Sequence, residues 1–431
     1  MQDLFSRLTD AAHTGMTASV WADVKGDEIA IHDPIGARTF AELNANANRL
    51  VRSLRRLGLA AGDSVALLCS NRAEFAEVLS AALRGGFRIT PVNWHLTTDE
   101  VAYVINDCQA KALFAETRYP SALDAIVPNV KAKISIGADA PGFTPYAELL
   151  AAEDGSDIAD PVMGGAMLYT SGTTGRPKGV YRRVNTTVLA PGPGAADDVQ
   201  LCAGPAYHAA PLAFDVRSAL AQGNPLVFLD KWDSEAVLAA IERYKVTRCH
   251  LVPIMFQRLL ALPQSVKDKY DISSLRYVIH GAAPCPPEVK KAMIEWLGPI
   301  IHEYYAGSEG GAGFLINSHE WLAKPGTVGR LPTADAVKLY DDEGGEITER
   351  NRPGMIYFQV SPIATFEYFN DPAKTAGAHR GGYFTLGDVG YLDEDDYLFL
   401  TGRTAECIIS GGVNIYPQEI DNEVIQHPAV E

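Results

Sequence analysis

Between Tyr169 and Val180 the chain reads YTSGTTGRPKGV. Thr170, Ser171, Thr173 and Thr174 bring four hydroxyls, Gly172 and Gly175 remove side chains, and Arg176 and Lys178 add positive charge. A loop of this composition suits a phosphate, because glycines let backbone N–H groups approach an anion while hydroxyls and cations complete its shell. The GxxxxGK[ST] spacing is absent, so this is not a Walker loop. Two further stretches carry chemistry. His280-Gly281-Ala282-Ala283-Pro284 follows an apolar strand pattern, and its small residues permit backbone approach to a flat ring. Glu303 to Gly310, reading EYYAGSEG, sets an aromatic ring, a hydroxyl and a carboxylate close together at Tyr305, Ser308 and Glu309.

The elements that position these stretches are legible in outline. Thr39 and Glu42 have capping-box spacing, and Leu43, Ala47, Leu50, Val51, Leu54 and Leu57 then recur at helical period up to Gly58. Ser64 to Cys69 predicts a buried strand, Asn71 and Glu74 open a helix that Gly85-Gly86 close, and Phe87-Arg88-Ile89 predicts the next strand. From Asp233 the pattern repeats as a helix over Glu235 to Tyr244, a strand over Thr247 to Val252 and a helix over Ile254 to Leu262. The alternation predicts α/β architecture with parallel sheets covered by helices, in two doubly wound subdomains over about residues 1–325. From Thr327 glycine and proline become frequent and short strands such as Ala336 to Tyr340 and Gly354 to Val360 alternate with turns, which predicts a small β-barrel-like subdomain to about residue 401.

Bulk properties narrow the function. At 431 residues the chain is long enough for two or three domains with real cores. Its 37 basic and 53 acidic residues give a net charge of −16, which argues against nucleic acid or an anionic membrane as partner, so local loops and a metal ion must hold anionic ligands. The cysteines at 69, 108, 202, 249, 285 and 407 show no CxxC pairing, which fits a reducing cytoplasm. No apolar run approaches the length of a membrane span.

The twelve-residue string, together with the motifs downstream, resembles the AMP-forming acyl-CoA synthetases of the adenylate-forming superfamily, and the resemblance spans nearly the whole chain. It implies a ligase that activates a carboxylic acid with ATP through an acyl adenylate and transfers the acyl group to coenzyme A, with Mg²⁺ as the metal. Thr170 to Gly175 and Lys178 would hold pyrophosphate oxygens, and Gly281, Ala282 and Ala283 would lie beside adenine. Tyr305 would stack on adenine, Ser308 would meet the α-phosphate and Glu309 would bind Mg²⁺. Asp388 would receive the ribose hydroxyls with Arg403 nearby. His208 stands fifteen residues before Gly223, the spacing of the family's acyl-tunnel histidine, and Ala209, Leu212, Gly307 and Gly311 would line a roomy pocket for a fatty, polycyclic or aryl acid. Asp215, only eight residues before Gly223, does not match the aspartate that holds an ammonium group in amino-acid-activating relatives.

Several positions depart from the family pattern. Ala306 and Ser308 replace Gly and Thr, Leu386 replaces Thr or Ser, and the hinge residue, usually Asp or Lys, is Ala405. Gly411-Gly412 would line the pantetheine path. Residues 402–431 read as a hinge and the start of a small mobile domain, with the chain ending before the position of the family's C-terminal lysine. A thioesterification-only enzyme that accepts a preformed acyl adenylate, and a non-catalytic nucleotide-binding module, stay open at this point, as does a homodimer.

Overall fold

The computed structural model describes residues 2–170, 176–182, 197–360, 365–403, 408–410, 413–415, 420, 424 and 430. The chain forms two compact units. The first comprises Met1–His250, Asp268–Leu275 and Tyr368–Asn370; the second comprises Leu251–Lys267, Arg276–Glu367 and Asp371–Glu431.

In the first unit a six-stranded sheet runs, in spatial order, Thr144–Pro145, Ala132–Ile136, Ala110–Glu116, Ser64–Leu68, Arg88–Pro91 and Gly165–Ala166. Every pairing in it is parallel. Side chains alternate between faces along a strand, so Val65 and Leu67 enter one core cluster while Ala66 and Leu68 enter another. All four are 0% exposed, which is why Ser64–Leu68 reads as an uninterrupted apolar run rather than an alternating one.

The covering helices begin where the caps predict. Thr39 Oγ1 accepts from the Glu42 N–H at 3.1 Å and Glu42 Oε2 accepts from the Thr39 N–H at 2.9 Å, opening the helix Phe40–Arg56. Leu57, expected in its apolar stripe, is instead the C-cap and is exposed, because the chain turns at Gly58 with φ +89°. A second parallel sheet of this unit pairs Ile29–His32 with Leu226–Phe228, Leu226–Phe228 with Gln200–Cys202, and Gln200–Cys202 with Arg248–Leu251. The crossover helix Ser234–Tyr244 starts at Asp233, whose carboxylate accepts from the Ala236 N–H.

In the second unit Tyr277–His280 lies parallel to Ile301–Gly307, with the helix Pro287–Leu297 between them in sequence. Gly310–Asn317 returns antiparallel. The glycine-rich region builds an antiparallel sheet in the order Thr327–Arg330, Tyr397–Arg403, Tyr383–Leu392, Gly354–Gln359, Val337–Tyr340 and Glu346–Ile347. Parallel sheets under helices, plus a separate antiparallel sheet, are the α/β class that the alternation predicts.

One feature is not legible in the sequence. The segment after His208 begins as a π-helix over Pro211–Arg217 and continues as the α-helix Ser218–Gln222, ending at Gly223 with φ +68°. A Cβ at Gly223 would fall 2.3 Å from the Trp21 ring, so only glycine fits there. Asp215 lies inside the wide turn, fully buried, and one of its oxygens accepts from Gln200 Nε2 at 2.7 Å and the His250 N–H at 3.0 Å. Its Oδ2 has no hydrogen-bond partner among the described residues. Burial pushes its carboxyl well above the ordinary aspartate value, and these hydrogen bonds offset only part of the shift. Because the folded pKa is raised, the stability that this group contributes is present at acid pH and is lost as pH rises above the ordinary aspartate range. Asp215→Asn keeps the acceptor and cannot ionise. Denaturant titrations at pH 5 and pH 8 should therefore show native protein losing ground to D215N as pH rises, by up to about 1.4 kcal/mol per pH unit; a difference independent of pH would mean that the carboxylate is charged in the fold.

Candidate active site

The residues singled out for chemistry fall into two sets, one in each unit. In the first unit, Leu168–Thr170 and Lys178–Tyr181 form a hairpin whose register sets Lys178 opposite Thr170 and Gly179 opposite Tyr169. Thr170 and Lys178 thus stand opposite one another at the two ends of segment 171–175; Ser171, Gly172, Thr173, Thr174 and Gly175, expected to hold phosphate, lie outside the described residues. The hairpin base is tied down by the Tyr169 hydroxyl, which donates to Asp107 Oδ2 at 2.5 Å, and by the Tyr103 hydroxyl, which donates to the Pro177 carbonyl at 3.3 Å. Arg176 lies over the Tyr103 ring at 5.2 Å.

His208 sits on the connection between Gln200–Cys202 and the π-helix. Asn71 holds that connection. Its Nδ2 donates to the carbonyls of Gly204 at 2.8 Å and Leu229 at 2.9 Å, and its Oδ1 accepts from the Ala206 N–H at 2.8 Å. His208 is exposed, with its ring against that of Tyr207. Loss of solvent lowers its pKa, and the nearby His95 adds to the effect, so the imidazole is neutral at pH 7. A row of aromatic rings leads away from it: Tyr207 lies 4.5 Å from His208, Trp94 meets Tyr207 edge-on at 5.9 Å, and Tyr119 stacks on Trp94 at 5.2 Å. Ala209 is half-buried, whereas Leu212 is buried in the core cluster with Ala206 and Val216.

In the second unit, Gly281 is held tightly: a Cβ there would lie 2.6 Å from the Tyr304 carbonyl oxygen. Ala282 adopts φ +66°, a left-handed conformation costly for a residue with a Cβ, and Ala282 and Ala283 are exposed. Gly307 pairs with Gly310, which closes a two-residue turn with Ser308 and Glu309 at its tip. Gly311 is exposed and explains Ala306: a Cβ at 311 would fall 2.9 Å from the Ala306 Cβ, so the methyl at 306 is accommodated because its neighbour across the hairpin has none.

Three of the predicted residues meet directly. The Tyr305 hydroxyl donates to Asp388 Oδ2 at 2.6 Å, and Arg403 Nε donates to Asp388 Oδ1 at 2.9 Å. Tyr305 and Asp388 are buried, while Arg403 is exposed. Burial first, and then the Asp388 charge, push the Tyr305 phenol well above its ordinary pKa, so it remains a donor. Asp388 reaches Tyr305 through an irregularity in register: Thr385 pairs with Tyr357 and Val389 with Met355, so four steps on one strand oppose two on the other. Such a bulge re-aims side chains, and Gly387, with φ +82° and its N–H on Thr385 Oγ1, supplies the turn. Ala405, Gly411 and Gly412 lie outside the described residues.

Sequence reasoning missed Asn71, Trp94 and Tyr119 as parts of the site. Their signal was position: each falls within three residues after the end of a parallel strand, Ser64–Leu68, Arg88–Pro91 or Ala110–Glu116, where ligands of α/β sheets collect.

Comparison with known proteins gives the family and the fold. The model of the family described as AMP-binding enzyme matches residues 19–365. The chain is 30% identical to an indoleacetate–CoA ligase of Aromatoleum aromaticum, covering 96% of this chain and 84% of that ligase. It is 32% identical to the long-chain-fatty-acid–CoA ligase FadD13 of Mycobacterium tuberculosis, over 91% of this chain and 78% of that ligase. The crystal structure of the anthranilate CoA ligase AuaEII in complex with anthranoyl-AMP shares the fold, with a TM-score of 0.84 at 22% identity over 97% of this chain and 82% of that one.

The Asn71 contacts yield a test of how the His208 connection is held. Asn71→Ala leaves buried backbone groups of Gly204, Ala206 and Leu229 without their partner and should cost roughly 2 kcal/mol or more. Asn71→Asp, which turns a carboxylate on two carbonyl oxygens, should cost more still. Urea titrations that found N71D as stable as the native protein would show that these contacts do not hold the connection.

Proposed function

We infer, from the premise that the chain belongs to the AMP-binding enzyme family, that it is an AMP-forming acid–thiol ligase that makes acyl-CoA. The carboxylate of the acid attacks the α-phosphorus of ATP, an acyl adenylate forms and pyrophosphate leaves. The thiol of coenzyme A then attacks the acyl carbon, its proton is released and AMP departs. No bond to the enzyme is needed, so rate comes from positioning and from charge neutralisation.

The observation that carries the reading is the convergence of Tyr305, Asp388 and Arg403, the first pair 83 positions apart in sequence and the second pair 15. An aromatic ring, a buried carboxylate and a guanidinium are what an adenine, two ribose hydroxyls and their surroundings need. Each oxygen of Asp388 accepts one hydrogen bond from protein, and a carboxylate has about four lone-pair sites, so both can also accept from a ribose. Ser308 at the turn tip would donate to the α-phosphate. Thr170 and Lys178 at the loop mouth would bind the departing pyrophosphate oxygens, with residues 171–175 between them.

Glu309 and Ser308 offer hard oxygen ligands, and among the described residues no group of three or more His, Cys, Asp or Glu side chains gathers to hold a metal by protein alone. That donor set fits Mg²⁺, which takes one or two carboxylates together with substrate phosphates. Bound there, Mg²⁺ would supply neutralisation of phosphate charge; Glu309 would hold it and Ser308 would orient the phosphate. Neutral His208 and its aromatic neighbours would border the acid, which belongs to the aryl, fatty or polycyclic classes that the relatives' names span. We place the enzyme in the cytoplasm, where the described cysteines stay unpaired, as they are in the structure.

ATP–pyrophosphate exchange by the full-length protein, screened with aryl, fatty and polycyclic acids, tests the reading. Exchange with one class, followed by acyl-CoA formation, is expected, and Glu309→Gln should lower it on the order of 10²- to 10³-fold. Silence with every acid, combined with thioester formation from a synthetic acyl adenylate, would identify an enzyme of the second half-reaction alone; silence in both assays would overturn the reading.

A further inference from the structure

Leu386 is the departure that the nucleotide contacts leave unexplained. It lies in the bulged stretch between Thr385 and Val389, two residues before Asp388. Its side chain lies against the turn that carries Ser308 and Glu309. A Cβ placed on Gly307 would fall 2.8 Å from Leu386 Cδ2 and 3.0 Å from Leu386 Cδ1, with Glu309 Oε2 at 3.1 Å. Leu386 therefore occupies the space that a side chain at 307 would need. Thr385 Oγ1 accepts from the Gly387 N–H at 2.9 Å, which fixes it on the backbone of the turn. Leu386 and Gly307 are both half-buried, so the isobutyl group forms part of a wall rather than of the core.

We propose that Leu386 is a specificity-determining residue of the ligase: standing where a side chain at Gly307 would be, it walls the carboxyl end of the acid site and selects acids unbranched at the carbon next to the carboxyl group. The inference rests on the ligase reading, in which Ser308 meets the α-phosphate that the acid's carboxylate must reach. The first carbons of the acid then lie beside the 307–309 turn. A methyl branch there meets the methyls of Leu386, which cannot move toward Gly307 without striking its backbone. A linear or planar acid passes. Pockets that discriminate by one methyl group do so by about 10- to 200-fold, and Leu386 is flexible enough that the low end is expected.

The test uses non-hydrolysable acyl-sulfamoyl adenosines with linear and with α-methyl-branched acyl arms, bound to the full-length protein in a calorimeter, alongside acyl-CoA formation from the matching acids. Native protein should prefer the linear arm by about tenfold. Leu386→Ala and Leu386→Thr should bring that ratio close to one while leaving AMP affinity unchanged. Gly307→Ala should weaken binding of both arms, and adding L386A to it should restore binding of the linear arm. A ratio unmoved in both Leu386 variants, or a G307A effect that L386A does not relieve, overturns the inference while leaving the ligase reading intact. If native protein binds neither analogue and forms no thioester, the ligase reading fails and this inference falls with it.

Discussion

The contact on which the second unit depends is the buried carboxylate of Asp388 held between Tyr305 and Arg403. An ionised carboxylate taken out of water is costly unless its oxygens are satisfied. Arg403 is more than half exposed, so its attraction is screened, and the Tyr305 hydroxyl provides the bond that is itself buried. To make it, the strand Tyr383–Leu392 must bulge and Gly387 must take a left-handed turn. The same bulge aims Leu386 at Gly307. One electrostatic requirement therefore dictates the local backbone of the antiparallel sheet and the shape of the turn beside it.

A second buried charge steadies the strand from which Tyr305 projects. Lys290, on the helix Pro287–Leu297, is 0% exposed; its Nζ donates to Glu303 Oε2 at 2.5 Å and lies 4.5 Å over the Trp321 ring. Burial lowers the lysine pKa and raises that of Glu303, opposing shifts with a common cause. Removing one member of such a pair typically costs about 3–5 kcal/mol, because the other is left charged and alone. Glu303 and Tyr305 are two apart on one strand and share a face, so the ion pair and the Tyr305–Asp388 hydrogen bond register the strand from the same side.

What was legible in the sequence was local. The capping box at Thr39 and Glu42, the apolar run at Ser64–Leu68 and the change to turn-rich short strands after Thr327 each depend on residues within a few positions of one another, and each appears in the structure. The choice of Tyr305, Ser308, Glu309, Asp388 and Arg403 came from motif resemblance, and the fold brings Tyr305, Asp388 and Arg403 into contact. What could not be read are contacts between distant segments. Asn71 looks like a helix opener until its three partners, more than 130 residues away, are known. Lys290 looks like one more charge on an amphipathic helix. The π-turn at Pro211–Arg217 has no local signal, since Asp215 can reach Gln200 and the His250 N–H only once the sheet exists.

The departures from the family pattern make the same point in reverse. Read singly, Ala306 for glycine threatens a clash and Leu386 for threonine threatens the loss of a contact. Read in pairs, each has a glycine opposite: Gly311 leaves room for the Ala306 methyl, and Gly307 leaves room for the Leu386 side chain. A glycine facing each larger side chain keeps the local packing density. The Tyr305, Asp388 and Arg403 contacts depend on hydrogen bonds at fixed positions and tolerate little change, whereas the packing beside them can be rebuilt from either strand. That asymmetry is what the proposed roles require: Tyr305, Asp388 and Arg403 kept for a nucleotide, and residues such as Leu386 free to vary with the acid.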